Sequence, residues 1–331
     1  MNAFLGEAIT EGEALRDLLD CYSSEGGAAL GAVGRLFRDG GYRRLAFAGM
    51  GSSYCAPFAV LDQLIGNGIL ATAQTAHRLA QSRAALVTAD TMVVAISKSG
   101  ATREVLDLVD GATVGTRTVA LVNQPESTLE GRCAVVVPLR AGSETQIASK
   151  SYLCTLAVLN LIAAELAGAQ RQAVFGPMRK IAQWACEYLA NATQNSEPLV
   201  AAMGGATHVD LLASGASFST AYKSALVLRE VPRVMAAAID CADYAHGWVK
   251  AIHPGYVAIV LAPDYEAIAA RAVDQVLGRG GRVILLTGSA VAQRDGLIVH
   301  RHPPVAERLA PLPQAVICDA MIGAMADRMP R

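Results

Sequence analysis

Aromatic residues make up only 5% of this 331-residue chain and charged residues only 17%, while hydrophobic residues reach 53%. So little charge against so much apolar surface excludes disorder as the dominant state. The scarcity of aromatics implies a core of Ala, Val, Leu and Gly, with helices and strands packed closely. There is no excess of basic charge: 28 basic and 29 acidic residues leave a formal charge of -1. The electrostatic case for a nucleic-acid partner is therefore missing. No C-x-x-C pair occurs among the seven cysteines at 21, 55, 133, 154, 186, 241 and 318. Neither a disulfide framework nor a thiolate zinc site is expected, and buried reduced thiols are. The N-terminus lacks the basic start and apolar run of a signal peptide, which makes the cytoplasm the expected compartment. The most apolar long stretch, Tyr152 to Ala169, is interrupted by Asn160 and Glu165. It reads as a buried helix, and no membrane partner is expected.

What is present is a rhythm. Helical spacing covers residues 3–39 and is followed by a short apolar run, Leu45 to Ala48, then a Gly/Ser loop and a helical pattern from Tyr54 to Ile65. Apolar runs recur at Thr91 to Ile96, Thr118 to Val122 and Ala134 to Leu139, alternating with helical segments. A long helical stretch from about Gln170 to Met203 separates this half from a second series, at Val209 to Ala213, Tyr256 to Leu261, Val283 to Leu286 and Leu297 to His300. Strand-helix alternation of this kind predicts an α/β fold around mostly parallel sheets. The two halves overlay, with Gly49 on Gly215 and Arg117 on Arg282, at offsets of 166 and 165 residues. Such an overlay predicts a tandem duplication. The expected boundaries are N-terminal helices plus a first domain over 1–170, a helical connector over 171–204 and a second domain over 205–331.

Two loops carry chemistry. Gly49-Met50-Gly51-Ser52-Ser53 and Ser97-Lys98-Ser99-Gly100-Ala101-Thr102 each follow an apparent strand and precede an apparent helix. Hydroxyls, tight-turn N–H groups and a helix N-terminus are the means by which backbone cradles hold phosphate. Ser, Thr and Gly also serve as ordinary caps and turns, so either loop alone says little. A pair at neighbouring strand ends points to a ligand. The dinucleotide fingerprint fails, because Tyr54 stands where glycine is needed and residues 75–78 offer no acidic ribose partner. Neither a G-K-[ST] phosphate loop nor a G-x-S-x-G nucleophile elbow is found. A small phosphorylated ligand is what remains.

Gly51-Ser52-Ser53-Tyr54, the Ser97–Thr102 loop, Glu144 followed by Ile147-Ala148-Ser149, and Leu226-Val227-Leu228-Arg229-Glu230 ahead of Ala245-His246-Gly247 together resemble the sugar isomerase (SIS) family. The pattern is most similar to the isomerase portion of glucosamine-6-phosphate synthase and its stand-alone relatives. The resemblance runs from about residue 40 to the end and implies two tandem SIS domains, each a mostly parallel sheet flanked by helices, binding a sugar 6-phosphate. It implies that Ser53, Ser97, Ser99 and Thr102 hold the phosphate, with Ser52, Lys98 and Ser149 lining the same pocket. Lys98 stands where the synthase pattern commonly has glutamine, adding a positive charge. Glu230 matches the proton-transferring glutamate, and His246 the ring-opening histidine that reaches a neighbouring subunit's site. A homodimer with shared active sites follows, and no cofactor is implied.

Those residue types suit aldose-ketose isomerisation, in which one base moves a proton between carbons 1 and 2 and a histidine exchanges a proton with the ring oxygen. The bland readings are a carboxylate at a helix end beside Arg229 and Arg233, and a turn histidine beside Gly247. The chain ends at Met329-Pro330-Arg331, and Val227 stands where the synthase pattern has lysine. The tail lysine of the synthase pattern has no counterpart, so glutamine-dependent synthase activity is not expected. The alternatives are a fructosamine 6-phosphate deglycase and a non-catalytic phosphosugar sensor. His300 and His302 share one face of an apparent strand, yet without an acidic or thiol partner at useful spacing they read as surface or interface histidines, and no metal is expected.

Overall fold

The computed structural model describes residues 1–328 except Glu25, Ala112, Thr113, Gln146 and Arg171, and leaves aside the side chain of Thr116. Met329–Arg331, the segment compared above with the synthase tail, lie outside the described residues. The chain divides into two compact units, Glu13–Lys180, and Met1–Gly12 together with Ile181–Arg331.

The Glu13–Lys180 unit is built on five parallel strands, β1 (Arg44–Gly49), β2 (Leu70–Thr75), β3 (Thr91–Ser97), β4 (Thr118–Val122) and β5 (Val135–Pro138). They lie in the order β2-β1-β3-β4-β5, with Arg44 level with both Leu70 and Thr91. β3 and β4 are buried along their whole length, as continuous apolar runs must be when helices cover both faces of a parallel sheet. The apolar stretch read as a buried helix is one, Lys150–Leu166, with Ser151 to Ala164 all buried.

The second unit repeats the plan with β6 (His208–Ala213), β7 (Met235–Asp240), β8 (Val257–Leu261), β9 (Arg282–Thr287) and β10 (Leu297–Arg301). All pairings are again parallel, and the order is β7-β6-β8-β9-β10. Sheet for sheet the topology is identical. β1 and β6 start 164 residues apart, at 44 and 208, as do β4 and β9, at 118 and 282. The left-handed glycine opening each first loop follows the same spacing, Gly51 at φ +55° and Gly215 at φ +54°. This corrects the overlay read from sequence by two residues. Gly215 corresponds to Gly51, because both loops need a residue without Cβ at the left-handed turn, and not to Gly49.

The sequence reading has no strand at β2 or β7. Both occupy the same edge of their sheets, beside β1 and β6. Leu-Ala-Thr-Ala-Gln-Thr and Met-Ala-Ala-Ala-Ile-Asp carry few β-branched residues, and Leu70 and Met235 are half exposed. An edge strand with one open side needs neither the long apolar run nor the strong propensity of a central strand. The pattern from Tyr54 to Ile65 is three short pieces, Ser52–Cys55, Ala56–Ala59 and Leu61–Gly66, interrupted around Pro57.

The segment read as a connector forms helices Gln172–Leu189 and Ala192–Met203, and the division between units falls within the first of them, at 180/181. Met1–Gly12 groups with the second unit through close contacts. Asn2 caps the helix Ala3–Ala8 by accepting from Leu5 N at 2.8 Å, and its amide donates to Gly323 O at 2.8 Å. A Cβ on Gly323 would lie 2.8 Å from Leu5 Cβ, so the glycine permits this approach to the helix Pro311–Ala326. Among the described residues one helical stretch, 307–326, is long and apolar enough to cross a membrane, and 94% of its most apolar 18-residue window is buried. None of the seven cysteines is in a disulfide; Cys55, Cys154, Cys241 and Cys318 are buried, and Cys21, Cys133 and Cys186 partly so.

Candidate functional site

β1 and β3 are parallel neighbours, so the loops leaving their C-terminal ends emerge at the same end of the first sheet. After β1 the chain turns sharply at Gly51. Ser53 N donates to Met50 O at 3.1 Å and Tyr54 N to Gly51 O at 3.0 Å. A Cβ on Gly49 would sit 2.5 Å from Ser53 O. Only glycine allows the loop to fold back so far, which leaves Ser52 and Ser53 half-buried at the strand end.

The loop after β3 is tied through its own hydroxyls. Ser97 is buried, and its Oγ lies 2.8 Å from Thr102 Oγ1 and accepts from Gly100 N at 3.1 Å. Ser99 Oγ accepts from Ala101 N at 3.2 Å. Thr102 is the N-cap of the helix Arg103–Val109, yet its hydroxyl makes no capping bond, being joined to Ser97. Gly100 has φ +62° and packs so closely on Ser127 that no side chain fits there. The loop following β4 supports it from outside. Asn123 N and Gln124 N both donate to Lys98 O, at 3.1 and 3.2 Å, and Leu129 N donates to Gly100 O at 3.0 Å.

Ser149 does not stand with these hydroxyls on its own. It is fully buried just before the helix Lys150–Leu166, and its N–H and Oγ both donate to Glu144 Oε1, at 2.8 and 3.1 Å. Ser151 N donates to the same oxygen at 3.2 Å, and Ser151 Oγ donates to Glu144 Oε2. A carboxylate at a helix N-terminus is favoured by the helix dipole as well as by these bonds. Lys98 reaches across from the β3 loop. Its Nζ donates to Thr145 O at 2.5 Å and lies 3.6 Å from Glu144 Oε2. Asn123 completes the frame, its side chain accepting from Ala141 N and donating to Gly142 O, each at 2.8 Å. Glu144, Asn123 and Ser127 were not singled out as site residues from sequence. Glu144 stood in the quoted motif, but no local pattern signals that Asn123 and Ser127 brace a loop some 25 residues earlier.

In the second unit Glu230 ends the helix Phe218–Glu230 and is exposed. Arg229 is engaged elsewhere, donating through Nε to Ala236 O at 2.7 Å. His246 is exposed two residues beyond the helix Cys241–Tyr244. Asp240 caps that helix, accepting from Ala242 N at 2.7 Å, and Gly247 turns the chain away at φ +129°. Tyr244 anchors it from beneath. Its hydroxyl donates to Tyr256 at 2.9 Å, and Tyr256 donates to the buried Asp210. Burial and the Asp210 carboxylate push the Tyr256 pKa far up, so it remains a donor.

Glu230 lies ahead of β7 and His246 beyond the strand's far end. Tyr222, Leu226 and Arg229 of the Glu230 helix share a cleft with Ala236 and Ala238 on one face of β7. Tyr244 packs with Ile239, Ala258 and Val260 on the other. The helices that lead to Glu230 and to His246 therefore pack on opposite faces of β7.

His300 and His302 differ from the surface reading. His300 is half-buried, hydrogen-bonded to Tyr188 at 3.0 Å, and burial drives its pKa down to about 4. His302 is buried, its Nδ1 2.8 Å from Pro303 O, and burial lowers its pKa as well. In both, burial favours the neutral imidazole. Among the described residues no group of three or more His, Cys, Asp and Glu is placed to hold a metal.

Comparison with known proteins decides what the first cradle belongs to: residues 42–165 match the family described as SIS domain. This stretch is a SIS domain. It contains both loops, Glu144 and Ser149. Over 240 residues the chain is 30% identical to a glutamine-fructose-6-phosphate aminotransferase (isomerizing) of Bradyrhizobium diazoefficiens, covering 68% of this chain and 39% of that one. The chain thus spans well under half of that relative's length. Among solved structures, the C-terminal domain of glucosamine-fructose-6-phosphate aminotransferase from Francisella tularensis superposes with a TM-score of 0.87 at 19% identity, covering 99% of this chain and 96% of that one. Glucosamine-6-phosphate deaminase from Thermotoga maritima superposes at 0.74 and 18% identity, over 99% and 95%. At such identities these structures establish the fold that surrounds the SIS domain and its companion unit.

Proposed function

We propose that the protein is a sugar 6-phosphate isomerase-type enzyme of two tandem SIS domains, working as a cytoplasmic homodimer. The cradle between Ser52-Ser53 and Ser97–Thr102 carries this reading. Hydroxyl and N–H donors gathered where two parallel strands end suit a phosphate dianion. In this reading Ser53, Ser97, Ser99 and Thr102 bind the phosphate, and Ser52, Lys98 and Ser149 border the pocket. Glu230 moves the proton between carbons 1 and 2, and His246 exchanges one with the ring oxygen as the sugar opens. The names of the relatives and of the solved neighbours, an isomerizing aminotransferase and a deaminase acting on an amino-sugar phosphate, support this substrate class.

The helices leading to Glu230 and to His246 pack on opposite faces of β7, which supports a dimer in which one chain completes the other's site.

The test is proton exchange. With fructose 6-phosphate or an amino-sugar phosphate in deuterated water, the wild-type protein incorporates deuterium at carbon 1 or 2. Glu230→Gln keeps shape and hydrogen bonding but removes the base, so exchange falls by about 100- to 10,000-fold while ligand affinity changes little. Undiminished exchange in that variant would reject Glu230 as the base. A wild type that binds tightly and exchanges nothing would favour the sensor.

A further inference from the structure

Lys98 is the cation within the phosphate-binding loop, and its charge is already engaged. Its ammonium lies 3.6 Å from Glu144, whose carboxylate is fully buried, and donates to Thr145 O at 2.5 Å. Glu144 in turn is held by two N–H and two hydroxyl donors from Ser149 and Ser151. Lys150 pins the same segment from the other side, donating to Ser143 O at 2.8 Å. A carboxylate so held cannot turn away from Lys98 without leaving several buried donors unmet.

We infer that Glu144 is a specificity-determining residue of the phosphate site: it neutralises Lys98, so that the cradle presents oriented neutral donors to the ligand. The inference rests on the phosphosugar reading given above. A free ammonium attracts any anion as a point charge. Hydroxyls and N–H groups fixed in a cradle instead reward the geometry of a phosphate monoester, and their grip depends less on salt. Selectivity against sulfate and free phosphate, rather than affinity alone, is what the ion pair confers.

The experiment measures Kd by calorimetry for fructose 6-phosphate, fructose, inorganic phosphate and sulfate at low and high salt. In Glu144→Gln, with the Lys98 charge released, inorganic phosphate and sulfate bind about three- to tenfold more tightly than to wild type, and the gain shrinks in high salt. Adding Lys98→Met removes the gain. Weaker anion binding in Glu144→Gln, or a gain that persists in the double variant, would overturn the inference. Should Glu144→Gln fail to fold, Lys98→Met alone decides: a loss of phosphate affinity under about threefold agrees, whereas a loss of tenfold or more means that Lys98 already serves the ligand. Failure of the underlying reading looks different, since wild type would then bind fructose 6-phosphate no better than fructose.

Discussion

Ser97 and Thr102, five residues apart, meet hydroxyl to hydroxyl at 2.8 Å and close the loop after β3 into a ring. One residue comes from the end of a buried central strand, the other from the cap of a helix. The Thr102 hydroxyl, joined to Ser97, makes no capping bond to the helix Arg103–Val109.

Replacing Ser97 and Ser99 together by Ala removes two donors while leaving the loop backbone bonds from Asn123, Gln124 and Leu129 in place. Affinity for a phosphorylated sugar should fall at least tenfold, on the order of one or two lost hydrogen bonds to a charged group. Affinity for the unphosphorylated sugar should not change, and equal losses for both would remove the phosphate from this cradle.

A second expectation concerns the buried pair in the other unit. Lys223 and Asp319 are both fully buried and paired, with the Lys223 ammonium 5.7 Å from the Phe4 ring. Lys223→Met leaves a buried carboxylate without its ion pair and should cost about 3–5 kcal/mol, read as a large drop in denaturation midpoint. Lys223→Met with Asp319→Leu should recover most of that loss. A double variant as unstable as the single would show that the charges themselves are needed.

His300 provides a pH signature. Its folded pKa is depressed to about 4 by burial, whereas an unfolded imidazole takes a proton near pH 6.5. The unfolded chain therefore binds more protons in that window. The stability His300 contributes is complete above about pH 6.5 and is lost as pH falls toward 4, by as much as about 3 kcal/mol. Melting temperatures of His300→Gln should decline less steeply over this range than those of wild type. Parallel declines would mean that other groups govern the acid limb.

Complementation tests the dimer. Glu230→Gln and His246→Ala proteins, each inactive alone, should regain part of the wild-type rate when mixed under conditions where subunits exchange, because a mixed dimer contains one intact site. Exchange demonstrated by mass without any recovery of turnover would place both residues in separate roles.

The sequence by itself determined the class of fold and the place of the two hydroxyl-rich loops. Continuous apolar runs at β3, β4, β8 and β9 can be buried on both sides only in a parallel sheet, and Gly-Ser-Ser and Ser-Lys-Ser-Gly after strands mark tight, hydroxyl-rich turns. Such signals are local, lying within a few residues of the atoms they describe. The edge strands β2 and β7 are not legible in the sequence because pairing with one neighbour, not their own composition, makes them strands. Tertiary structure alone decided the rest. It turned Ser149 toward Glu144, tied Lys98 to that carboxylate 46 residues away, buried His302, and set the helices that lead to Glu230 and His246 on opposite faces of β7. Each depends on contacts between residues far apart in the chain, whose approach is fixed by the packing of whole elements rather than by any short pattern.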